Sequence, residues 1–158
     1  MSRIAPLIVL VLSAAIVGTA LLTQYWGRLV PCELCLYERW PYYAVIALAA
    51  LAVVVGRRDA SRAALMLAAL IFALSAALAF YHVGVEQHWF AGPTACTAAP
   101  LGKGSIADLR KQLLATPVVR CDEVQWSVAG VSLAGLNLIA SLVMIAVSWR
   151  AMIRVGRA

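Results

Sequence analysis

Four long apolar runs separated by short polar segments organise this chain of 158 residues. They lie at Pro6–Thr23, Pro41–Gly56, Ala63–Phe80 and Val128–Trp149, and none contains an Asp, Glu, Lys, Arg or His. A hydrocarbon core of roughly 30 Å takes about 20 helical residues to cross. The first, third and fourth runs reach or approach that length, and Leu36, Tyr37 and Trp40 extend the second into the interface. The pattern predicts an all-α membrane protein: a bundle of four transmembrane helices in one integral membrane domain, residues 1–158, with spans at about 6–25, 41–56, 63–82 and 128–149. Composition agrees, since 64% hydrophobic residues is far above the share found in soluble domains. The first run begins beside Arg3, as a signal peptide would, but its apolar stretch is longer than a signal-peptide core, so it is read as an uncleaved span.

The net charge of +6 could point to nucleic acid. Its distribution points elsewhere. With four spans, the two tails and the short 57–62 loop share one side and carry Arg3, Arg57, Arg58, Arg62, Arg150, Arg154 and Arg157 against Asp59 alone. The opposite side, about 26–40 and 83–127, has equal numbers of acids and bases. Arginine concentrated in short loops marks the cytoplasmic face, so both termini are expected there and nucleic acid is not needed to explain the charge.

That orientation puts all four cysteines outside the cytoplasm, where disulfides persist. Cys32 and Cys35 lie in PCELCLYERW between the first two runs, with Arg39 four residues after Cys35. Cys-x-x-Cys is the short spacing of reversible dithiol chemistry, and a helix N-terminus or a nearby cation favours the reactive thiolate. On a helix, Cys35 and Arg39 would share a face. Pro41 either begins the second helix or kinks one that started earlier. Tyr25, Trp26, Tyr37, Trp40, Tyr42 and Tyr43 fit an interfacial aromatic belt.

The second outer segment, about 83–127, contains Cys96 and Cys121. Gly92-Pro93, Pro100, Gly102 and Gly104 predict loop. Ser105 and Asp108 then fit a capping box, and Ile106, Leu109, Leu113 and Leu114 recur at helical spacing up to Pro117. A short amphipathic helix lying on the membrane surface is expected here. Cys96 and Cys121 enclose 24 residues, and a static disulfide across such a loop stabilises it by roughly 3–4 kcal/mol. A zinc site would use two close pairs, which this spacing lacks. Proton-coupled transport usually uses an ionisable group within a span, and the four runs hold none. A thiol relay therefore stands ahead of metal binding, transport or a non-catalytic scaffold.

PCELCLYER between the first two spans, the pair Cys96 and Cys121, and CDEVQW before the last span resemble the DsbB family of quinone-linked, disulfide-forming membrane proteins. The resemblance covers nearly the whole chain. It implies a bacterial inner-membrane enzyme with its cysteines in the periplasm that sustains disulfide formation; apart from the resemblance, four spans are compatible with a monomer. It implies that a reduced DsbA-like thioredoxin-fold oxidase attacks a Cys96–Cys121 disulfide through Cys96. Electrons would then pass to Cys32–Cys35 by way of a transient Cys32–Cys121 bond. Cys35 would face ubiquinone or menaquinone, Arg39 would support the quinone oxygen, and no metal would take part. A histidine near the end of the third span is associated with the quinone site in the family. His82 and His88 both lie nearby, with Glu86-Gln87 as another match to that position; a lone histidine at a membrane edge is ordinarily an interfacial residue, and both are left out of the site.

Overall fold

The computed structural model describes residues 3–93, 105 and 119–157. Five helices account for most of them: α1 (Ile4–Tyr25), α2 (Glu33–Tyr37), α3 (Trp40–Val55), α4 (Arg58–Glu86) and α5 (Leu133–Arg157), with a two-stranded hairpin, β1 (Ser127–Val128) and β2 (Val131–Ser132), before α5. Four helical stretches are long and apolar enough to cross a membrane: α1, α2 and α3 together (Glu33–Val55), α4 and α5. Cys96 and the expected amphipathic helix fall outside the described residues.

Helix α1, at 22 residues, is about 33 Å long, close to the bilayer core. The second stretch starts earlier than the 41–56 run. α2 opens at Glu33, and only the turn at Glu38 and Arg39 separates it from α3, both residues keeping right-handed helical backbone angles. Pro41 explains the break. Lacking an N–H, it cannot continue the α-helical ladder, and Arg39 N–H bonds to Leu36 O three residues back instead. Proline therefore kinks a helix that began before it.

Helix α4 runs 29 residues, past the expected limit near 82, because no breaker comes before Gly92-Pro93. It ends on His88 in the left-handed region at φ 59°, where Trp89 N–H reaches back to Gly84 O. Helix α5 starts at Leu133 and not at 128. Ala129 and Gly130, both with positive φ, turn the preceding residues into the hairpin, as a two-residue turn of this hand requires.

The helices pack α1 on α3, α3 on α4, α4 on α5 and α5 back on α1. Small residues let α4 and α5 approach closely: Ala68, Ala69, Ser75, Ala76 and Ala79 on one, Ala134 and Ser141 on the other, all buried. Gly130 serves the hairpin turn before α5. The main core joins Val9, Val17, Tyr42, Val45, Leu65, Phe72 and Met144, with Tyr42 edge-on to Phe72. Leu51, Val54, Leu70, Leu74 and Leu142 face outward, as lipid contact favours. At the end of the bundle carrying the two tails and the short α3–α4 loop, Arg58 donates to the carbonyls of Val155 and Gly156, satisfying the last turn of α5. At the other end lies a second buried cluster, of Cys32, Leu34, Val85 and Cys121.

Candidate functional site

Cys32 is the N-cap of α2. Its extended backbone (ψ 172°) starts the helix, and its sulfur accepts the N–H of Cys35 at 3.2 Å. One helical turn brings the two sulfurs to 2.7 Å, so a further approach of about 0.7 Å reaches the 2.05 Å of a disulfide. Both thiols are free. The Cys35 thiol, hydrogen-bonded to Cys32 Sγ, holds the Cys32 thiol below its ordinary value, against the opposing effects of burial and of the charges on Glu38 and Glu86. The geometry agrees, since the Cys35 N–H points at the Cys32 sulfur and supports negative charge there.

His82, in the last turns of α4, is buried, with Nε2 3.5 Å from Cys32 Sγ. Its Nδ1 lies 2.8 Å from Glu38 Oε1. Glu38 is itself only 6% exposed, and its Oε2 accepts from Asn137 Nδ2 on α5 at 2.9 Å. The Tyr42 hydroxyl donates to Asn137 Oδ1 at 2.7 Å and meets Ser141 Oγ at 3.1 Å; Ser141 in turn donates to Ser75 Oγ at 3.0 Å. A continuous polar chain therefore links the turn between α2 and α3 to α3, α4 and α5 inside an apolar bundle. A carboxylate bonded to the Nδ1 side of an imidazole leaves Nε2 as the acceptor, and Nε2 is the atom turned toward Cys32. The ring tautomer is thus set by Glu38.

Cys32 Sγ, Cys35 Sγ and a His82 ring nitrogen lie within 4.8 Å of one another, which by spacing alone resembles a metal site. Tetrahedral zinc with bonds near 2.3 Å needs its two sulfurs about 3.8 Å apart. At 2.7 Å the pair is arranged for bonding to each other instead.

A cavity of about 460 Å³ opens beside the pair, within the range of small-molecule sites. Its walls are mainly apolar, from Ile16, Val17 and Ala20 of α1, Trp126 and Val128 of the hairpin region, and Leu133 and Leu136 of α5. Polar groups also line it, among them both sulfurs, Glu38, Arg39, His82, Glu86 and Asn137. Arg39 and Cys35 line the same cavity, as their spacing anticipates. Arg39 bonds to neither a cysteine nor Glu38; Nη1 donates to Gln24 Oε1 of α1 at 2.5 Å. Glu86 accepts from the Ser132 hydroxyl, joining α4 to the hairpin.

Of the second cysteine pair, Cys121 is described and Cys96 is not. Cys121 is disulfide-bonded and buried in the cluster that contains Cys32. Beside it, Arg120 clasps the Asp122 carboxylate through two hydrogen bonds, 2.9 and 2.6 Å, and keeps that carboxyl below the usual range. Arg120 is exposed and Asp122 half-buried.

Of the residues the sequence singles out, Cys32, Cys35 and Arg39 line the cavity and Cys121 is buried beside Cys32, while Cys96 lies outside the described residues; His82, Glu38 and Asn137 are not among those singled out. His82 is not an ordinary interfacial residue; it is one of the most enclosed side chains in the protein. His88, by contrast, is exposed at the helix end. The signal that could have found the cluster was the pairing of two ionisable residues, Glu38 and His82, at the edges of adjacent spans.

The family described as Disulfide bond formation protein DsbB matches residues 2–151. An uncharacterized protein of Rickettsia prowazekii, RP370, is 25% identical over 146 residues, covering 90% of this chain and 83% of its own. No solved structure matches.

Proposed function

The chain belongs to the DsbB family, a multi-pass membrane thiol–disulfide oxidoreductase, and from that premise we propose that it oxidises a periplasmic DsbA-like dithiol and passes the electron pair to a membrane quinone. In this reading the tails and the arginine-rich α3–α4 loop are cytoplasmic, the thiol end of the bundle is periplasmic, and residues 1–158 act as one membrane domain. The partner's thiolate attacks Cys96, and its disulfide forms as Cys96 and Cys121 are reduced. Cys121 then attacks Cys32, releasing Cys35. Cys96 closes back onto Cys121, leaving Cys32 and Cys35 reduced. Thiol exchange of this kind needs a thiolate within reach of an accessible sulfur. The shared burial of Cys121 and Cys32 supports the inner exchange.

The observation that carries the reading is the cavity against Cys35. A largely apolar cavity of about 460 Å³ suits a hydrophobic ring, and Arg39 in its lining offers N–H donors for a ring oxygen. Ubiquinone or menaquinone, when bound, supplies a sink for two electrons and two protons. Arg39, steadied by Gln24, would hold an oxygen of that ring and stabilise negative charge on it. Cys35 would face the ring, and Cys32 would close the disulfide.

Purified protein in detergent, mixed with a reduced DsbA-like thioredoxin-fold protein and ubiquinone-1, should form quinol while the partner is oxidised. Cys35→Ser should abolish turnover. Unchanged turnover in that variant would overturn the electron path.

A further inference from the structure

Nothing in the thiol relay so far accounts for a buried carboxylate in an apolar bundle. Leaving Glu38 charged there is costly unless its oxygens are bonded, and both are, by His82 and Asn137. The chain extends from Asn137 to Tyr42, Ser141 and Ser75, so three helices constrain the carboxylate. What this apparatus presents to the reacting atoms is one ring nitrogen, His82 Nε2, 3.5 Å from Cys32 Sγ.

We propose that His82 is the catalytic base and acid for Cys32, with Glu38 as the residue that orients and charges it and Asn137 and Tyr42 as the residues that hold Glu38. The assignment of direction rests on the function proposed above. When the reduced pair is oxidised, the Cys32 thiol gives its proton to His82 Nε2 as its sulfur bonds to Cys35. Two S–H bonds are lost and one S–S bond forms. The two electrons leave to the quinone, and both thiol protons follow to its oxygens, the one from Cys32 by way of His82. In the preceding exchange Cys32 leaves from its bond to Cys121 as Cys96 bonds to Cys121; the proton given up by the Cys96 thiol recharges His82, which protonates the departing Cys32 sulfur. Glu38 acts in both directions: its negative charge favours the imidazolium that exists while His82 carries the extra proton.

The geometry sets two opposite expectations. Besides Glu38, the titratable groups among the described residues that act on His82 are Cys32, Cys35 and Glu86. As a bystander, Glu38 is simply a negative charge near the Cys32 sulfur, and it disfavours the thiolate. Removing the charge would then make Cys32 ionise more readily. If Glu38 works through His82, removing it weakens the imidazolium partner, and Cys32 ionises less readily. The sign of the change discriminates between them.

The test uses full-length protein in detergent with Cys35→Ser, Cys96→Ser and Cys121→Ser, so that Cys32 is the one thiol. Its alkylation by iodoacetamide is followed from pH 4 to 10, a readout independent of quinone. Adding Glu38→Gln should raise the midpoint of the profile by about one unit, slowing alkylation about 10-fold below the midpoint. His82→Gln should do the same, and Glu38→Asp should restore most of the original profile. Asn137→Leu, which leaves both titrating groups in place, should shift the midpoint the same way by a smaller amount and decides the matter if Glu38→Gln does not fold. A midpoint that stays put or moves down in these variants overturns the assignment. Wild-type protein that fails to reduce ubiquinone, while the alkylation shifts appear as expected, would refute the quinone reading and leave the His82 assignment standing.

Discussion

Replacing His82 by Leu should be among the most destabilising single changes at the thiol end of the bundle. Leucine fills much of the ring's space, so the perturbation is chiefly polar: Glu38 Oε1 loses the partner at 2.8 Å while Oε2 keeps Asn137. Two magnitudes compete. Hydrogen bonds between membrane helices average only about 0.6 kcal/mol, which would make the change nearly silent. Removing one member of a buried ion pair costs about 3–5 kcal/mol, because the other charge is left uncompensated. Glu38 at 6% exposure and His82 at 2% place this pair in the second regime, so a loss of about 3 kcal/mol is expected. Reversible unfolding by sodium dodecyl sulfate from mixed micelles measures it. The double variant His82→Leu/Glu38→Leu should recover most of the loss, since it removes the stranded carboxylate. Asn137→Leu, which costs hydrogen bonds but leaves the pair, should lose about 1 kcal/mol. A His82→Leu loss under 1 kcal/mol, or a double variant less stable than His82→Leu alone, would refute the reasoning that Glu38 is held as a charge by His82.

Two further outcomes test the cavity and the entry to it. Arg39→His should raise the Kd for ubiquinone-1 about 10-fold, as loss of one charge-assisted hydrogen bond implies, while disulfide exchange between the two cysteine pairs continues; binding by fluorescence quenching and exchange by thiol trapping separate the two. Because Arg120 lowers the Asp122 carboxyl, their pairing stabilises the fold at pH values above the ordinary carboxylate range, and the contribution fades as pH falls through the lowered value. Arg120→Gln should return the Asp122 titration, followed by carboxyl NMR, to the ordinary range.

Local pattern explains why so much was legible early. A 20-residue apolar run needs no knowledge of its neighbours to become a membrane helix, because its backbone must satisfy itself in lipid. Arg3, Arg57, Arg58 and Arg62 mark one face by count alone. Cys32 and Cys35 are three residues apart, so a single turn brings their sulfurs together whatever the rest of the chain does. The helix limits were less accessible. α4 continues to Glu86, just before the left-handed His88, and α5 begins at Leu133 after the positive-φ turn at Ala129 and Gly130, so backbone turns and not hydropathy set those ends.

The polar chain is different in kind. Glu38 and His82 are 44 residues apart, and Glu38 and Asn137 are 99 apart. Each lies near the end of an apolar run, where a charged residue ordinarily reaches water. Only the packing of α3, α4 and α5 decides that these groups face inward and not toward solvent. The sequence by itself determined the four crossings, the sidedness of charge and the chemistry of the cysteines, since these follow from local composition and short spacing. The tertiary structure alone determined which sulfur has a base beside it, which carboxylate orients that base, and that a cavity opens against both, because those depend on side chains that meet only when distant helices close around them.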